Sequence, residues 1–135
     1  MNDYKIESNN QVTSFNAKTV NIGNIEDSHF LIFYNIEEYF LLQKPHKFDE
    51  YDFQSNRNTY YIEYCDQSKF KYGGIDNIVL YRNKVVINLK SETAQALKLS
   101  PTIYINFQVN DNDYKKMNEE LKNIFSSEIC FSISQ

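Results

Sequence analysis

Residues 75–89 read IDNIVLYRNKVVINL, and this stretch predicts two β-strands joined by a tight turn. In residues 85–89 every second side chain is apolar, which places three of them on one face of a strand. Residues 75–82 carry apolar side chains on both faces in the same period of two. Asn83 lies between the two runs and suits a turn, because asparagine tolerates a positive φ. The stretch therefore predicts a β-hairpin.

Further strand patterns lie on both sides of this hairpin. Residues 102–109 place four apolar side chains on one face, and residues 59–65 alternate in the same way, with tyrosines on both faces and one glutamate. Residues 12–20 and 30–42 are rich in β-forming residues. The second of these runs leaves room for a bend or a helical turn at 35–38. The sequence thus predicts five or more strands.

Two segments have the period of an amphipathic helix. The stronger one runs from Asp113 to Phe125, with apolar residues at helical spacing on one side and Lys and Glu on the other. Asn110 or Asp111 is available as its N-cap. The shorter one runs from Glu92 to Leu99, with Ser91 as its expected N-cap.

Together these elements predict the α+β class. We expect a mostly antiparallel sheet with two helices packed on one of its faces. No repeat, low-complexity tract or Pro/Gly-rich linker interrupts the sequence. Residues 1–135 are therefore expected to form a single domain.

The acidic balance of the sequence narrows the classes of partner. Lys and Arg number 14 against 18 Asp and Glu, which gives a formal net charge of −4. A chain of that sign has no general attraction to nucleic acid or to an anionic membrane, so direct binding of either is not expected. No secretion signal is visible, and no apolar run approaches the ~20 residues of a membrane span. We therefore expect a cytoplasmic protein.

Catalytic and metal-binding motifs are missing from the sequence. It contains no GxSxG, GxxxxGK[ST], GxGxxG or HExxH pattern. His29, His46, Cys65 and Cys130 are scattered without the spacing of a metal site. We expect no catalytic residue, no metal and no cofactor, and we expect the two cysteines to be reduced and buried in strands. A catalytic pair of Cys65 with one of the histidines is the less favoured alternative.

The densest acidic cluster is a candidate for binding a protein partner. Residues 26–66 contain nine acids and three bases, net −6, whereas residues 67–98 contain two acids and six bases, net +4. Such segregation is typical of proteins that dock by charge complementarity. The candidate residues are the carboxylates Asp49, Glu50 and Asp52, with Tyr51 and Phe53 as aromatic anchors. The alternative is a loop that is merely solvated.

Several short motifs in fixed order resemble the immunity protein 10 family. Residues 60–67 read YYIEYCDQ, a GGI turn follows at 73–75, and the hairpin at 79–85 leads to a short helix ending in LKL at 97–99. The β-run that starts at Ile103 and the helix that closes near Phe125 also resemble that family. The motif residues are Tyr61, Glu63, Asp66, Gln67, Gly73 and Gly74.

The resemblance implies an immunity protein that binds and blocks a cognate toxin domain of a bacterial polymorphic toxin system, without catalysis. A nuclease is the expected toxin class, because toxins that act on nucleic acid are basic and this chain is acidic. For the pairs Asp66-Gln67 and Gly73-Gly74 a structural role is favoured over partner contact, since glycine pairs first serve the backbone. The alternatives are a non-enzymatic interaction module, as a homodimer for example, and a small hydrolase.

Overall fold

The computed structural model describes residues 13–25, 27–125 and 130–133. It contains ten strands and three helices within these residues, and the predicted α+β class is confirmed. The strands are β1 (Thr13–Asn16), β2 (Thr19–Ile25), β3 (Ser28–Tyr34), β4 (Tyr39–Pro45), β5 (Tyr61–Tyr64), β6 (Phe70–Tyr72), β7 (Ile75–Leu80), β8 (Lys84–Leu89), β9 (Thr102–Asn106) and β10 (Cys130–Ile133). The helices are α1 (Glu50–Gln54), α2 (Ser91–Leu97) and α3 (Asp111–Phe125).

These strands form two five-stranded sheets rather than the one that was expected. The meander sheet has the order β2-β3-β4-β5-β6, and all of its pairs are antiparallel. The terminal sheet has the order β1-β9-β8-β7-β10. Its central pairs are antiparallel, and β1 and β10 join its two edges in parallel. The predicted antiparallel preference therefore holds, with parallel pairing confined to those edges.

The chain passes from the meander sheet to the terminal sheet at Gly73-Gly74, between β6 and β7. Gly73 has a φ of +75° and Gly74 a φ of +95°, and residues other than glycine rarely adopt such values. A Cβ added at Gly74 would lie 2.1 Å from the hydroxyl oxygen of Thr93 on α2. The Gly74 carbonyl also accepts a hydrogen bond from the Lys90 amide at 3.0 Å. Backbone geometry and close approach thus both require glycine at Gly74.

The predicted runs 75–89 and 30–42 each form a hairpin. The predicted turn between β7 and β8 is confirmed, since the Tyr81 amide donates to the Lys84 carbonyl at 2.8 Å. Asn83 was expected in this turn because asparagine tolerates a positive φ, but it makes the turn without one. The run 30–42 bends at Asn35, whose side-chain oxygen accepts two backbone amide hydrogen bonds, each of 2.8 Å. That run is therefore the β3–β4 hairpin.

The helices differ from their predicted bounds by one or two residues: α3 begins two residues earlier than expected, and α2 begins one residue earlier and ends two residues earlier. In α3, the Asn110 side chain accepts from the Asp113 amide at 2.8 Å, so Asn110 is the residue that caps the helix. In α2, the extended Lys90 is the N-cap and Ser91 is already helical. The helix ends at Leu97, and its C-cap Lys98 adopts the left-handed conformation with a φ of 58°. Both predicted helices contact the meander sheet, α2 through β6 and α3 through β2, β3 and β4, and α3 also contacts β10 of the terminal sheet.

One buried apolar cluster joins the two sheets. Its fully buried members include Leu31 and Phe33 of β3, Ile78 of β7 and Leu121 of α3. The alternation predicted for residues 59–65 is confirmed, because Tyr60 and Ile62 face this core. The neighbouring side chains of β5 consequently point to the opposite, outer face of the meander sheet.

Candidate functional site

Aromatic rings dominate the outer face of the meander sheet at β5 and β6. Strand pairing aligns Tyr61 with Tyr72 and Glu63 with Phe70. Tyr61 stacks on Phe70 with 5.7 Å between the ring centroids, and it meets Tyr72 in an edge-on contact at 5.2 Å. Phe70 is 40% exposed. This aromatic cluster of Tyr61, Phe70 and Tyr72 therefore offers partly exposed rings on a sheet face.

Glu63 lies beside this aromatic cluster and is only 8% exposed. The Tyr61 hydroxyl donates to one carboxylate oxygen of Glu63 at 2.5 Å, and the Tyr39 hydroxyl donates to the other. Burial, followed by the hydrogen bond to Glu63, holds the pKa of both tyrosine hydroxyls above its ordinary value. Among the described residues, no Lys, Arg or His lies within ion-pair distance of Glu63.

A groove separates this face from the segment that carries α1. It has a volume of about 570 Å³ and opens to solvent. Its charged and polar lining includes Asp52, Arg57, Tyr61, Glu63, Gln67 and Tyr72. The Arg57 guanidinium lies 5.0 Å from the ring centroid of Tyr72 and 6.0 Å from that of Tyr51. The groove thus already contains one cation stacked on an aromatic ring.

The acidic cluster, for which a solvated loop was the alternative, forms the start of helix α1. The Asp49 side chain accepts from the Asp52 amide at 2.8 Å, and the Asp52 side chain accepts from the Asp49 amide at 2.9 Å. This reciprocal pair is a capping box. Two of the three candidate carboxylates therefore hold the helix start, and Glu50 is the one that projects freely into solvent.

The two aromatic anchors proposed in this segment are exposed. Tyr51 is 62% and Phe53 57% exposed. Phe53 meets Phe48 edge-on with 6.1 Å between the ring centroids. Asp52 lies between Tyr51 and Phe53 in sequence and lines the groove. The candidate segment therefore borders the same groove as Tyr61 and Glu63.

The motif residues divide between this groove and two turns. Tyr61, Glu63 and Gln67 line the groove. Asp66 accepts hydrogen bonds from the backbone amide and the hydroxyl of Ser68 at 2.8 and 2.9 Å, and these bonds lower the pKa of its carboxyl. Gly73 and Gly74 form the crossing between the sheets described above.

The histidines and Cys65 lie at opposite ends of β4. Cys65 is a free thiol whose sulfur accepts from the Tyr39 amide at 3.5 Å, at the start of β4. It is half-buried at a φ of 60° directly after β5, not buried within a strand as expected. Cys130 begins β10, and its side chain lies outside the described part of the structure. His46 directly follows the other end of β4, so the alternative pair of Cys65 with a histidine is not assembled.

A contact between β3 and helix α3 leaves no local signal in the sequence. The Nδ1 atom of His29 on β3 lies 3.1 Å from a carboxylate oxygen of Glu120 on α3, and Glu120 is only 7% exposed. The ring centroids of His29 and His46 are 4.3 Å apart. In the described ranges, no group of three or more His, Cys, Asp or Glu is arranged to hold a metal ion. Within the same ranges no helix is both long and apolar enough to cross a membrane.

Comparison with protein families identifies a relative for most of the chain. The sequence model of immunity protein 10 matches residues 16–115, which is 100 of the 135 residues. The match begins well before the motifs that start at residue 60, and it ends within α3, before Phe125. Comparisons with curated proteins and with solved structures give no match. Since the family match covers most of the chain, including the whole meander sheet and all the groove residues, this chain belongs to the immunity protein 10 family.

Proposed function

We propose that this protein is an immunity protein that binds a cognate bacterial toxin domain and neutralises it by covering a surface the toxin needs. The observation that carries the proposal is the family match over residues 16–115. In this proposal the protein acts as a stoichiometric inhibitor and not as an enzyme, and it needs no cofactor.

The outer face of the meander sheet supports a binding role. Tyrosine is enriched at the energetic centres of protein interfaces, because it buries a large area at a low cost in side-chain entropy. Tyr61 and Tyr72 line the groove, and the exposed rings of Tyr51 and Phe53 stand at its border. We therefore propose Asp49, Glu50, Tyr51, Asp52 and Phe53, together with the groove, as the contact surface.

A nuclease is the toxin class that the charge favours. A protein that acts on nucleic acid presents Lys and Arg to the phosphates, so its active surface attracts an acidic inhibitor. Residues 26–66, which include α1 and β5, carry a net charge of −6. Occupying the basic surface of such a toxin would block substrate binding directly.

The experiment is co-expression of the toxin domain encoded beside this gene, with and without this protein, in a sensitive bacterial host. We expect survival only with this protein present, and a complex that can be purified from those cells. Protection without an isolable complex would contradict inhibition by covering.

Titration of the toxin's activity in vitro separates inhibition from catalysis. A stoichiometric inhibitor abolishes activity at about one equivalent, whereas an enzyme acting on the toxin would do so at a small fraction of that. Measurement of the mass in solution addresses the alternative: a homodimer that binds no toxin would support an interaction module instead.

A further inference from the structure

We infer that the groove between α1 and strands β4–β6 receives an Arg or Lys side chain of the toxin, which pairs with Glu63. This inference rests on the proposed function and names the chemistry of the contact. It also moves the centre of the interface from the acidic helix start to the sheet face.

The charge of Glu63 is incompletely neutralised within the described residues. A buried carboxylate is costly unless it is hydrogen-bonded and paired with a cation. Tyr39 and Tyr61 each donate one hydrogen bond, which leaves about half of the carboxylate's acceptor positions unused. Neutral hydroxyl donors do not supply the missing positive charge. A cation that enters the groove would supply both the charge and the remaining donors.

The walls of the groove are chemically suited to a cation. Tyr61 and Tyr72 of the aromatic cluster line the same groove as Glu63, and a cation gains energy above such rings. Arg57 shows that the groove accepts this contact, since its guanidinium lies 5.0 Å from the Tyr72 ring centroid. An incoming guanidinium or ammonium group would therefore meet a carboxylate and aromatic rings at once.

The charges that face the groove also favour a cation. Asp52 and Glu63 are negative and Arg57 is positive, so the lining is net acidic. An anionic partner group would be repelled by Glu63. An apolar anchor would bury this carboxylate further without pairing it, at a cost in free energy. A cationic side chain is the occupant that these charges favour.

The test uses the complete chain and a catalytically inactive variant of the cognate toxin domain. Glu63→Gln keeps the shape of the side chain and removes its charge. We expect the Kd to rise by about 30-fold or more, mainly through faster dissociation, because the pair is buried. The increase should persist at high salt, which screens buried pairs little. Glu119→Gln, the same change at an exposed site on α3, should leave the Kd within about twofold.

A double-mutant cycle identifies the partner group. Each Lys and Arg of the toxin's contact surface is replaced by Met, and each variant is measured against wild-type protein and Glu63→Gln. One toxin cation should couple to Glu63 by about tenfold or more in Kd. If Glu63→Gln fails to unfold cooperatively, Tyr72→Leu replaces it in the cycle, with a smaller coupling to the same cation expected.

The outcomes distinguish the inference from the function on which it rests. Wild-type protein that binds the toxin while Glu63→Gln binds equally well overturns the inference alone. So does a weakened Glu63→Gln variant that couples to no toxin cation, because its effect would then come from Tyr39 and Tyr61. A wild-type protein that does not bind the toxin removes the proposed function and the inference together.

Discussion

On the outer face of the terminal sheet, polar side chains bond to one another. The Asn88 amide donates to Asn77 at 2.8 Å, and the Thr102 hydroxyl donates to Asn88 at 2.9 Å. On the outer face of the meander sheet, Glu63 accepts from Tyr39 and Tyr61 and faces a groove. The first network supplies its own donors and acceptors, whereas the second keeps acceptor capacity that the described residues do not fill.

This difference separates a face that serves stability from a face suited to binding. Hydrogen bonds closed between strands hold the terminal sheet together and offer little to a partner. A buried carboxylate in a groove adds little to stability, but it rewards a partner of opposite charge. The five predictions below would break or sharpen this contrast.

The largest effect is expected at the crossing between the sheets. Gly74→Ala should lower the free energy of unfolding by about 3 kcal/mol or more, because it adds strain at positive φ to a clash with Thr93. Gly73→Ala is the matched control. At that position the nearest atom to an added Cβ is 3.6 Å away, so strain alone should cost about 1–2 kcal/mol. Chemical denaturation measures both, and equal losses would contradict the close packing at Gly74.

The outer faces themselves should respond differently to the loss of one polar group. Asn88→Ala leaves the partners Asn77 and Thr102 unpaired and should cost about 1–2 kcal/mol. Glu63→Gln weakens two hydrogen bonds but relieves a buried charge, so the change should be under about 1 kcal/mol. Urea unfolding of the two variants is the measurement. A larger loss for Glu63→Gln would make Glu63 a stability residue and erase the contrast.

The cap of α1 should contribute less to stability than the polar network of the terminal sheet. Asp49→Ala removes the acceptor for the Asp52 amide and should cost about 1 kcal/mol, whereas Asp49→Asn retains an acceptor and should cost only a few tenths. Thermal melting compares the two variants. Since α1 borders the groove, Asp49→Ala should also weaken toxin binding more than Asp49→Asn does. Equal melting of the two would show that the capping box does not hold the helix.

Alkaline pH should lower the stability of the folded protein through the tyrosines around Glu63. Tyr39 and Tyr61 have raised pKa values in the folded protein. Near neutral pH both hydroxyls are protonated in the folded and in the unfolded state, so these two groups add no pH dependence to stability there. Above a pH of about 10 the unfolded chain releases them first, and stability falls as the pH rises further. The tyrosinate absorbance in wild type and Glu63→Gln tests this. Glu63→Gln should bring part of that titration back towards the ordinary pKa.

The smallest effect is expected for steering of the toxin by exposed charge. Glu50→Lys should slow association a few-fold at low salt and converge with wild type at high salt, since screening removes long-range attraction. Asp76→Lys reverses an exposed charge on β7 of the terminal sheet and should change the rate less. Stopped-flow association rates compare them. Equal slowing by both variants would mean that net charge, and not the α1 border, sets the encounter rate.

The sequence predicted the elements better than their assembly. Period-two alternation located β7, β8 and β9, and the spacing of Met117, Leu121 and Ile124 located α3, because a buried face leaves its period in the sequence. A strand's period does not say which sheet it joins. The division into two sheets depends on the crossing at Gly73-Gly74, whose glycines indicated a turn but not a change of sheet.

The candidate site was only partly readable for a similar reason. Tyr61 and Glu63 are two positions apart, so their common face was visible in the sequence. Tyr39 reaches Glu63 through strand pairing, and His29 reaches Glu120 from a position 91 residues away, so neither contact leaves a local signal. Helix α1 was missed because five residues are too few to show a helical period. Its Asp49–Asp52 spacing was the readable sign of a capped helix start.

The parallel edges of the terminal sheet have a consequence for the order of folding. The meander sheet grows from consecutive hairpins, whose strands are neighbours in sequence and pair quickly. The terminal sheet needs β1 to meet β9 and β10 to meet β7, contacts between distant parts of the chain that carry a larger loop-closure entropy. During synthesis the strands of the groove therefore leave the ribosome and pair early. The inner face of the meander sheet is covered only after α3 has been synthesised. The edge strands β1 and β10 pair with the terminal sheet last.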